Sequence, residues 1–362
     1  MAWLPNWCKR VKFTIDHTDV DNTLLDFPIL LTLGTSVGRS SDDVSCVFDE
    51  LQSDANRKKI AVTTSDGTTQ CYVEIEKWDD ANEKAWLWVK VPSISSDADT
   101  DLYLYYDSSH ADNAAYVGDP SDAVVHNVWD SNFKFVSHMR DDPDTSHISD
   151  STVNANDGTK KAGGEPTEVD GAIAKAQDFD GYDDYINIGN DASLDTIRTV
   201  EVIICAKTKA TYPQSVIGQW ASNADRWIFQ IDKDCTEGSM FVDGVYTWTN
   251  VADFTARKHI ALVWDGSLSK AYYDGVLQPN TSATNPFSIT DLLFSTIGIH
   301  YYDGIPSSSY GFNGLIDEVR ISATDRSAAW IKASYESERD DLLDWGSEET
   351  LPKGRSYGFI FG

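Results

Sequence analysis

Apolar residues recur at every second position along most of the chain, and two is the period of a strand half-buried in a sheet. Val11, Phe13 and Ile15 alternate with Lys12, Thr14 and Asp16, and Phe27, Ile29, Leu31 and Leu33 make a second run. Cys71, Val73 and Ile75 alternate with Tyr72, Glu74 and Glu76. Ala85, Leu87, Val89 and Val91 stand opposite Trp86, Trp88 and Lys90, and Leu102, Leu104 and Tyr106 stand opposite Tyr103 and Tyr105. Short runs of this kind between Asp, Ser, Gly and Asn turns predict antiparallel sandwiches. Over 107–120 the alternation lapses into a polar stretch that reads as an interdomain connection. Beyond it, 240–242 and 245–248 flank Asp243-Gly244, and 270–273 and 276–277 flank Asp274-Gly275. Asp-Gly suits the tight hairpin turn in which both central residues take positive φ. A further strand is expected over 259–264. Only 327–343 reads clearly as helix, with Ala328, Ile331, Tyr335 and Leu342 roughly at helical spacing. The expected architecture is all-β: two tandem antiparallel β-sandwiches over 1–117 and 118–345, one short C-terminal helix, and a tail over 346–362.

Composition narrows what such a protein does. The 362 residues are 41% hydrophobic and 24% charged, the balance of a folded protein. Lys and Arg number 29 against 58 Asp and Glu, a net charge of −29. Nucleic-acid binding rests on phosphate neutralisation by Lys and Arg, so no nucleic-acid partner is expected. No apolar run approaches the ~18 residues of a membrane span, so no membrane insertion is expected. The acidity favours divalent cations. The five cysteines include no Cys-x-x-Cys pair and read mostly as buried free thiols. Met1-Ala2-Trp3-Leu4-Pro5 runs directly into strand-like sequence, so no signal peptide is expected.

Two sets of segments carry a family resemblance. The first runs from Trp7-Cys8-Lys9-Arg10 through Tyr72-Val73-Glu74-Ile75 and Ala85-Trp86-Leu87-Trp88 to Leu102-Tyr103-Leu104-Tyr105. It resembles a β-rich domain of unknown function common in microbial and viral surface proteins. The second includes Val128-Trp129-Asp130, Asp178-Phe179-Asp180-Gly181-Tyr182, His259-Ile260-Ala261-Leu262-Val263-Trp264 and Asn313-Gly314-Leu315-Ile316-Asp317-Glu318. It looks like the laminin-G-type, concanavalin A-like jelly roll. That fold hosts lectins, adhesion modules, glycosidases and spacers, so the resemblance implies architecture more than function.

Candidate chemistry follows. Asp178-Phe179-Asp180-Gly181-Tyr182-Asp183-Asp184 offers four carboxylates in seven residues with a glycine for the bend. Calcium takes 6–8 oxygens from such loops. The resemblance implies a rim calcium held by Asp180, Asp183 and Asp184 with Asp317 returning beside them; the alternative is a solvated Asp-rich turn. Sugars present an apolar face that stacks on aromatic rings. The loop 300–310 and the segments 220–226 and 246–250 have that composition. They nominate Trp248, Tyr301, Tyr302, Asp303, Tyr310 and Arg226, against the alternative that the rings merely pack. Trp86, Trp88, Tyr103 and Tyr105 would form an interface patch unless both faces of their sheet are covered. His138 and His147 read as solvent-facing. Glycosidases of the concanavalin A-like fold need two carboxylates flanking the scissile bond, and their Glu-x-Asp-x-x-Glu motif is absent.

The expected function is therefore a non-enzymatic carbohydrate-binding or adhesion protein whose partner is a surface glycan. The family's habitat and the missing export signal suggest a virion surface or tail-appendage component, assembled with other virion proteins or with itself. A purely structural virion protein and an atypical glycosidase are the alternatives. The apolar tail residues Tyr357, Phe359, Ile360 and Phe361 either fold back or insert into another subunit, and the second is the expected use.

Overall fold

A computed structural model describes residues 2–163, 165–209 and 211–351. The tail residues Tyr357, Phe359, Ile360 and Phe361 lie outside the described residues. The described residues divide into two compact units, 2–128 with 336–351, and 129–335.

The first unit is a sandwich of a five-stranded and a four-stranded sheet. The first sheet runs Leu343–Thr350, Lys9–Ile15, Thr100–Tyr106, Ile60–Thr64, Gln70–Cys71. The second runs Leu24–Leu33, Lys84–Ile94, Val73–Asp79, Val117–Gly118. The alternation locates these strands correctly: Val11, Phe13, Ile15, Phe27, Ile29, Leu31, Leu102 and Leu104 are all buried. The opposite aromatic face is covered as well. Tyr103 and Tyr105 cluster with Leu4, Trp7 and Ala61, and Arg10 lies 3.8 Å from the Tyr103 ring centre. Trp88 is buried and donates its indole N–H to Glu76 at 2.8 Å. These residues therefore serve packing, and only Trp86 of the four is partly exposed.

Three boundaries differ from the sequence reading. The division falls at 128, not 117, because Val117–Gly118 adds a strand parallel to Val73–Asp79. Beyond it, Asp119 is bound by both Arg57 and Lys58, and Val125 and Val128 are fully buried. The polar stretch 107–120 is thus folded structure whose side chains close turns. Asp107 accepts from Ser109, and Asn113 bridges the Ile60 carbonyl and Gln70. Residues 346–350 are not tail: Leu343–Thr350 pairs antiparallel with Lys9–Ile15. The helix is shorter, Ala328–Glu338, ending before Asp340 takes a left-handed φ of 61°. A second, unexpected helix, Cys46–Leu51, buries Val47, Phe48 and Leu51.

The second unit holds two eight-stranded sheets. One, here the inner sheet, includes Lys175–Asp180, Asn313–Ser322, Thr199–Ala206 and Lys258–Trp264. The other, the site sheet, runs through Ile186–Gly189, Phe294–Ile297, Gln214–Ser222, Asp225–Ile231, Glu237–Val242 and Val245–Val251. Val200, Val202, Ile204, Trp227, Phe229, Ile231 and Met240 lie in one continuous core. On the far side of the inner sheet, Ala261, Val263 and Tyr272 are closed by Ile331 of the helix. Both Asp-Gly hairpins form with positive φ at Asp243, Gly244, Asp274 and Gly275. All five cysteines are free, with Cys71 and Cys235 buried and the others half-buried.

Candidate functional site

Alternation along Asp225–Ile231 sends Trp227, Phe229 and Ile231 into the core and leaves Arg226, Ile228 and Gln230 on the outer face of the site sheet. The register carries that face sideways. Trp220 pairs with Arg226 and Phe294, and Phe241 pairs with Ile228 and Tyr246. Trp220, Phe294, Arg226, Phe241 and Tyr246 thus form a band across four neighbouring strands and onto a fifth.

The segment 300–310 folds over this band. A third Asp-Gly turn, Asp303-Gly304 with φ of 50° and 78°, joins Tyr301–Tyr302 to Ile305–Pro306. Tyr301 stacks on Phe294 with ring centres 4.2 Å apart, which buries it. Tyr302 stays 49% exposed and lies with Phe241 about the Arg226 guanidinium, at 5.4 and 5.3 Å from ring centre to Cζ. Asn223 ties the parts together. Its side-chain oxygen accepts from Asp303 N–H at 3.1 Å, Arg226 Nη1 at 3.2 Å and Trp220 Nε1 at 3.4 Å. Its amide nitrogen donates to the Asp303 carboxylate. Gln230 donates to the Tyr246 hydroxyl at 2.7 Å, and Tyr246 is 51% exposed.

His300 sits beneath the hairpin, bonded through Nδ1 to Ser215 Oγ at 2.7 Å. Burial, and then the Arg226 charge, hold its pKa down at about 4, so the ring is neutral near pH 7. Tyr310 packs on His300 and on Tyr212, at 4.5 and 5.4 Å between ring centres.

The structure brings together Arg226, Tyr301, Tyr302 and Asp303, with Tyr310 alongside. Trp248 is not among them. It is 4% exposed, lies in the core and donates to Ser269 at 2.9 Å. Phe241 and Phe294 escaped the sequence reading, and Asn223 entered it only within the segment 220–226. The spacing of Trp220, Asn223 and Arg226 in one hairpin was the available signal.

The acidic loop assembles in part. Asp180, Asp183 and Asp184 offer carboxylate oxygens within 4.8 Å of one another. Beside them lies a depression of about 280 Å³ lined by Asp178, Asp180, Asp184, Lys207 and Asn313 among others. Asp184 is buried, and its pKa is pushed up to about 6 by that burial and by the neighbouring Asp180 and Asp183 charges, against a hydrogen bond from Asp180 N–H. Asp183 also meets the Lys161 ammonium. Asp317 does not join the cluster, because its Oδ2 accepts from Ala172 and Ile173 N–H at 2.9 and 3.1 Å. His138 corrects the sequence reading too: it is buried against Glu318 at 2.8 Å. No helix among the described residues is long and apolar enough to cross a membrane.

Several solved structures are similar. Domain 4 of AbnA, a GH43 extracellular arabinanase from Geobacillus stearothermophilus, in complex with arabinotriose, is 18% identical with a TM-score of 0.41; the match covers 56% of this chain and 98% of that one. Trypanosoma rangeli sialidase in complex with sialic acid is 9% identical with a TM-score of 0.46, over 76% of this chain and 46% of that one. Ruminococcus gnavus IT-sialidase CBM40 bound to α2,6 sialyllactose is 17% identical with a TM-score of 0.34, over 40% and 92%. A search of curated proteins finds no match to the sequence. Family profiles match two segments: 56–132 to a domain of unknown function, DUF2341, and 180–332 to the concanavalin A-like lectin/glucanases superfamily. The chain thus carries a segment similar to DUF2341 at 56–132, followed by one similar to the concanavalin A-like lectin/glucanases at 180–332.

Proposed function

We propose that the second unit is a non-enzymatic glycan-binding module whose site is the outer face of the site sheet. The observation that carries this reading is the band of Trp220, Phe241, Tyr246 and Tyr302 around Arg226, set on a rigid sheet and reaching solvent. Rings of this kind stack on the apolar face of a pyranose, while Gln230 and the Tyr246 hydroxyl supply polar contacts to its hydroxyls. The bordering carboxylates support binding over hydrolysis, because each holds the fold: Asp303 bonds Asn223, Asp243 accepts from Arg226 N–H, and Asp225 holds Thr290. Tyr246→Ala and Tyr302→Ala are each expected to weaken glycan binding roughly two- to tenfold, the value of one aromatic contact, with the melting temperature little changed. Glycan-array binding followed by titration of the best ligand measures this. Wild-type affinity in both variants would sink the site.

The same proposal includes a calcium ion at the acidic loop. A hard divalent cation suits three converging carboxylates, and Asp180, Asp183 and Asp184 would hold it, supplying structural rigidity to the loop. Without the ion, Asp184 costs stability as pH rises from about 4 to about 6, because its raised pKa means that folding favours the protonated form. Bound calcium would remove that cost, and its affinity would fall below about pH 6. Calcium at 100 times its Kd stabilises by ~2.7 kcal/mol, so EDTA is expected to lower the second unit's melting temperature by roughly 5–10 °C. Asp184→Asn should abolish the response, and an EDTA-insensitive wild type excludes the ion.

Display on a particle surface completes the proposal. A net charge of −29 supports it only by keeping an exposed surface solvated, and peptides of this chain in purified virions are its test.

A further inference from the structure

The outer-face band contains a buried arginine whose guanidinium no carboxylate contacts, although the charges of Asp243 and Asp303 lie near enough to favour it. Arg226 is 8% exposed. Its Nη1 donates to Asn223, its Nε–H donates to nothing, and it forms no ion pair among the described residues. The other buried arginines all meet carboxylates: Arg10 meets Glu349, Arg320 meets Glu318 and Arg326 meets Asp130. Arg57 shows what the vacant edge is suited to. Its Nε and Nη2 hold the two oxygens of Asp119 at 2.8 and 2.7 Å. That side-on, two-point pairing is the strong form of the arginine–carboxylate contact.

A cation taken out of water without an anion is strongly unfavourable. The Phe241 and Tyr302 rings offset part of that cost. The chain has 58 acidic side chains, yet the nearby Asp303 is turned to Asn223 and leaves the arginine edge vacant.

We infer that the Nε–Nη2 edge of Arg226 receives the carboxylate of an acidic sugar, so that the glycan bound on this face carries a uronic-acid-type unit. This rests on the glycan-binding reading of the same face. A flat carboxylate presents two oxygens to the two N–H groups, and the sugar ring that bears it falls beside Tyr302, Trp220 and Tyr246. Nε is shielded from solvent, so a carboxylate reaches it as the Phe241 and Tyr302 rings beside the guanidinium shift. The overall charge of −29 repels polyanions, and screening confines the attraction of Arg226 to a range of ~8 Å at physiological salt. The fitting ligand is therefore a glycan with isolated acid groups.

The test uses the full chain and matched disaccharides: one bearing glucuronate or galacturonate, its methyl ester, the neutral parent and a sulfated counterpart. Calorimetric titration of the wild type should give the acid ~10- to 100-fold higher affinity than the ester, the worth of a charge-assisted pair. Because that comparison needs no substitution, a misfolded variant cannot obscure it. Arg226→Gln should erase the difference, and Arg226→Lys should keep a small part of it. Equal binding of acid, ester and neutral parent overturns the acidic-sugar inference and leaves the glycan face standing. Preference for the sulfated sugar overturns the carboxylate assignment. Failure of every sugar to bind overturns both readings.

Discussion

A chain cut after Leu342 is expected to lose the fold of its first unit and keep that of its second. The removed strand, Leu343–Thr350, lies at the edge of the five-stranded sheet beside Lys9–Ile15. It buries Leu343 and Trp345, and Trp345 packs on Phe13 with ring centres 5.2 Å apart. Its polar residues are used as well. Glu349 holds Arg10 at 2.6 Å, Glu348 accepts from the Tyr106 hydroxyl at 2.9 Å, and the Leu343 carbonyl accepts from Arg39 N–H at 3.0 Å. Burial of two large apolar side chains contributes ~1.5–3 kcal/mol each, and the charged hydrogen bonds of Arg10 a further ~1.5–3 kcal/mol. The loss comes to about 5–9 kcal/mol, comparable to the ~5–15 kcal/mol that holds a whole domain. Limited proteolysis of the cut chain should digest 2–128 and spare 129–335. A protease-resistant first unit would show that the strand is dispensable.

That strand also marks where the sequence stopped being legible. Its sequence, Leu-Asp-Trp-Gly-Ser-Glu-Glu-Thr, has two apolar residues and then polar ones, and its partner lies more than 300 positions earlier. Alternation finds strands that bury a full face; it cannot see an edge strand whose two buried apolar residues sit at one end and whose remainder is glycine, serine and carboxylates. The polar stretch 107–120 misled for a related reason. Its Asp107 and Asn113 look like linker residues, but they are spent on internal hydrogen bonds. The inward strands of both units and the Asp-Gly hairpins were readable because burial and positive φ leave direct marks on residue choice. At the site, composition alone nominated Arg226, Tyr301, Tyr302 and Asp303. Asp317 failed as a calcium ligand because a carboxylate that caps a buried loop looks the same in sequence as one that faces an ion.

Trp248 and Tyr246 give the sharpest separation between packing and recognition. Two residues apart on one strand, they should share a face by strict alternation. They do not, because the register slips: Tyr246 pairs with Phe241 and Trp248 with Met240, leaving Thr247 as the extra residue of a bulge. Tyr246 therefore stands outside against Phe241, at 5.2 Å between ring centres, while Trp248 turns into the core beside Phe229. A bulge has no signature in the period of the pattern, which is why the sequence nominates Trp248 for the face that Tyr246 occupies. Trp248→Ala is expected to destabilise the second unit by ~3–5 kcal/mol, the cost of deleting a buried ring and leaving a cavity, and it also strands the Ser269 hydroxyl. For a unit of this size that lowers the melting temperature by roughly 10 °C. Glycan affinity measured well below the transition should stay at the wild-type value. Tyr246→Ala should do the reverse, holding its melting temperature while losing affinity. If Trp248→Ala instead melts like the wild type and fails to bind sugar, the ring faces the ligand and the bulge is misplaced.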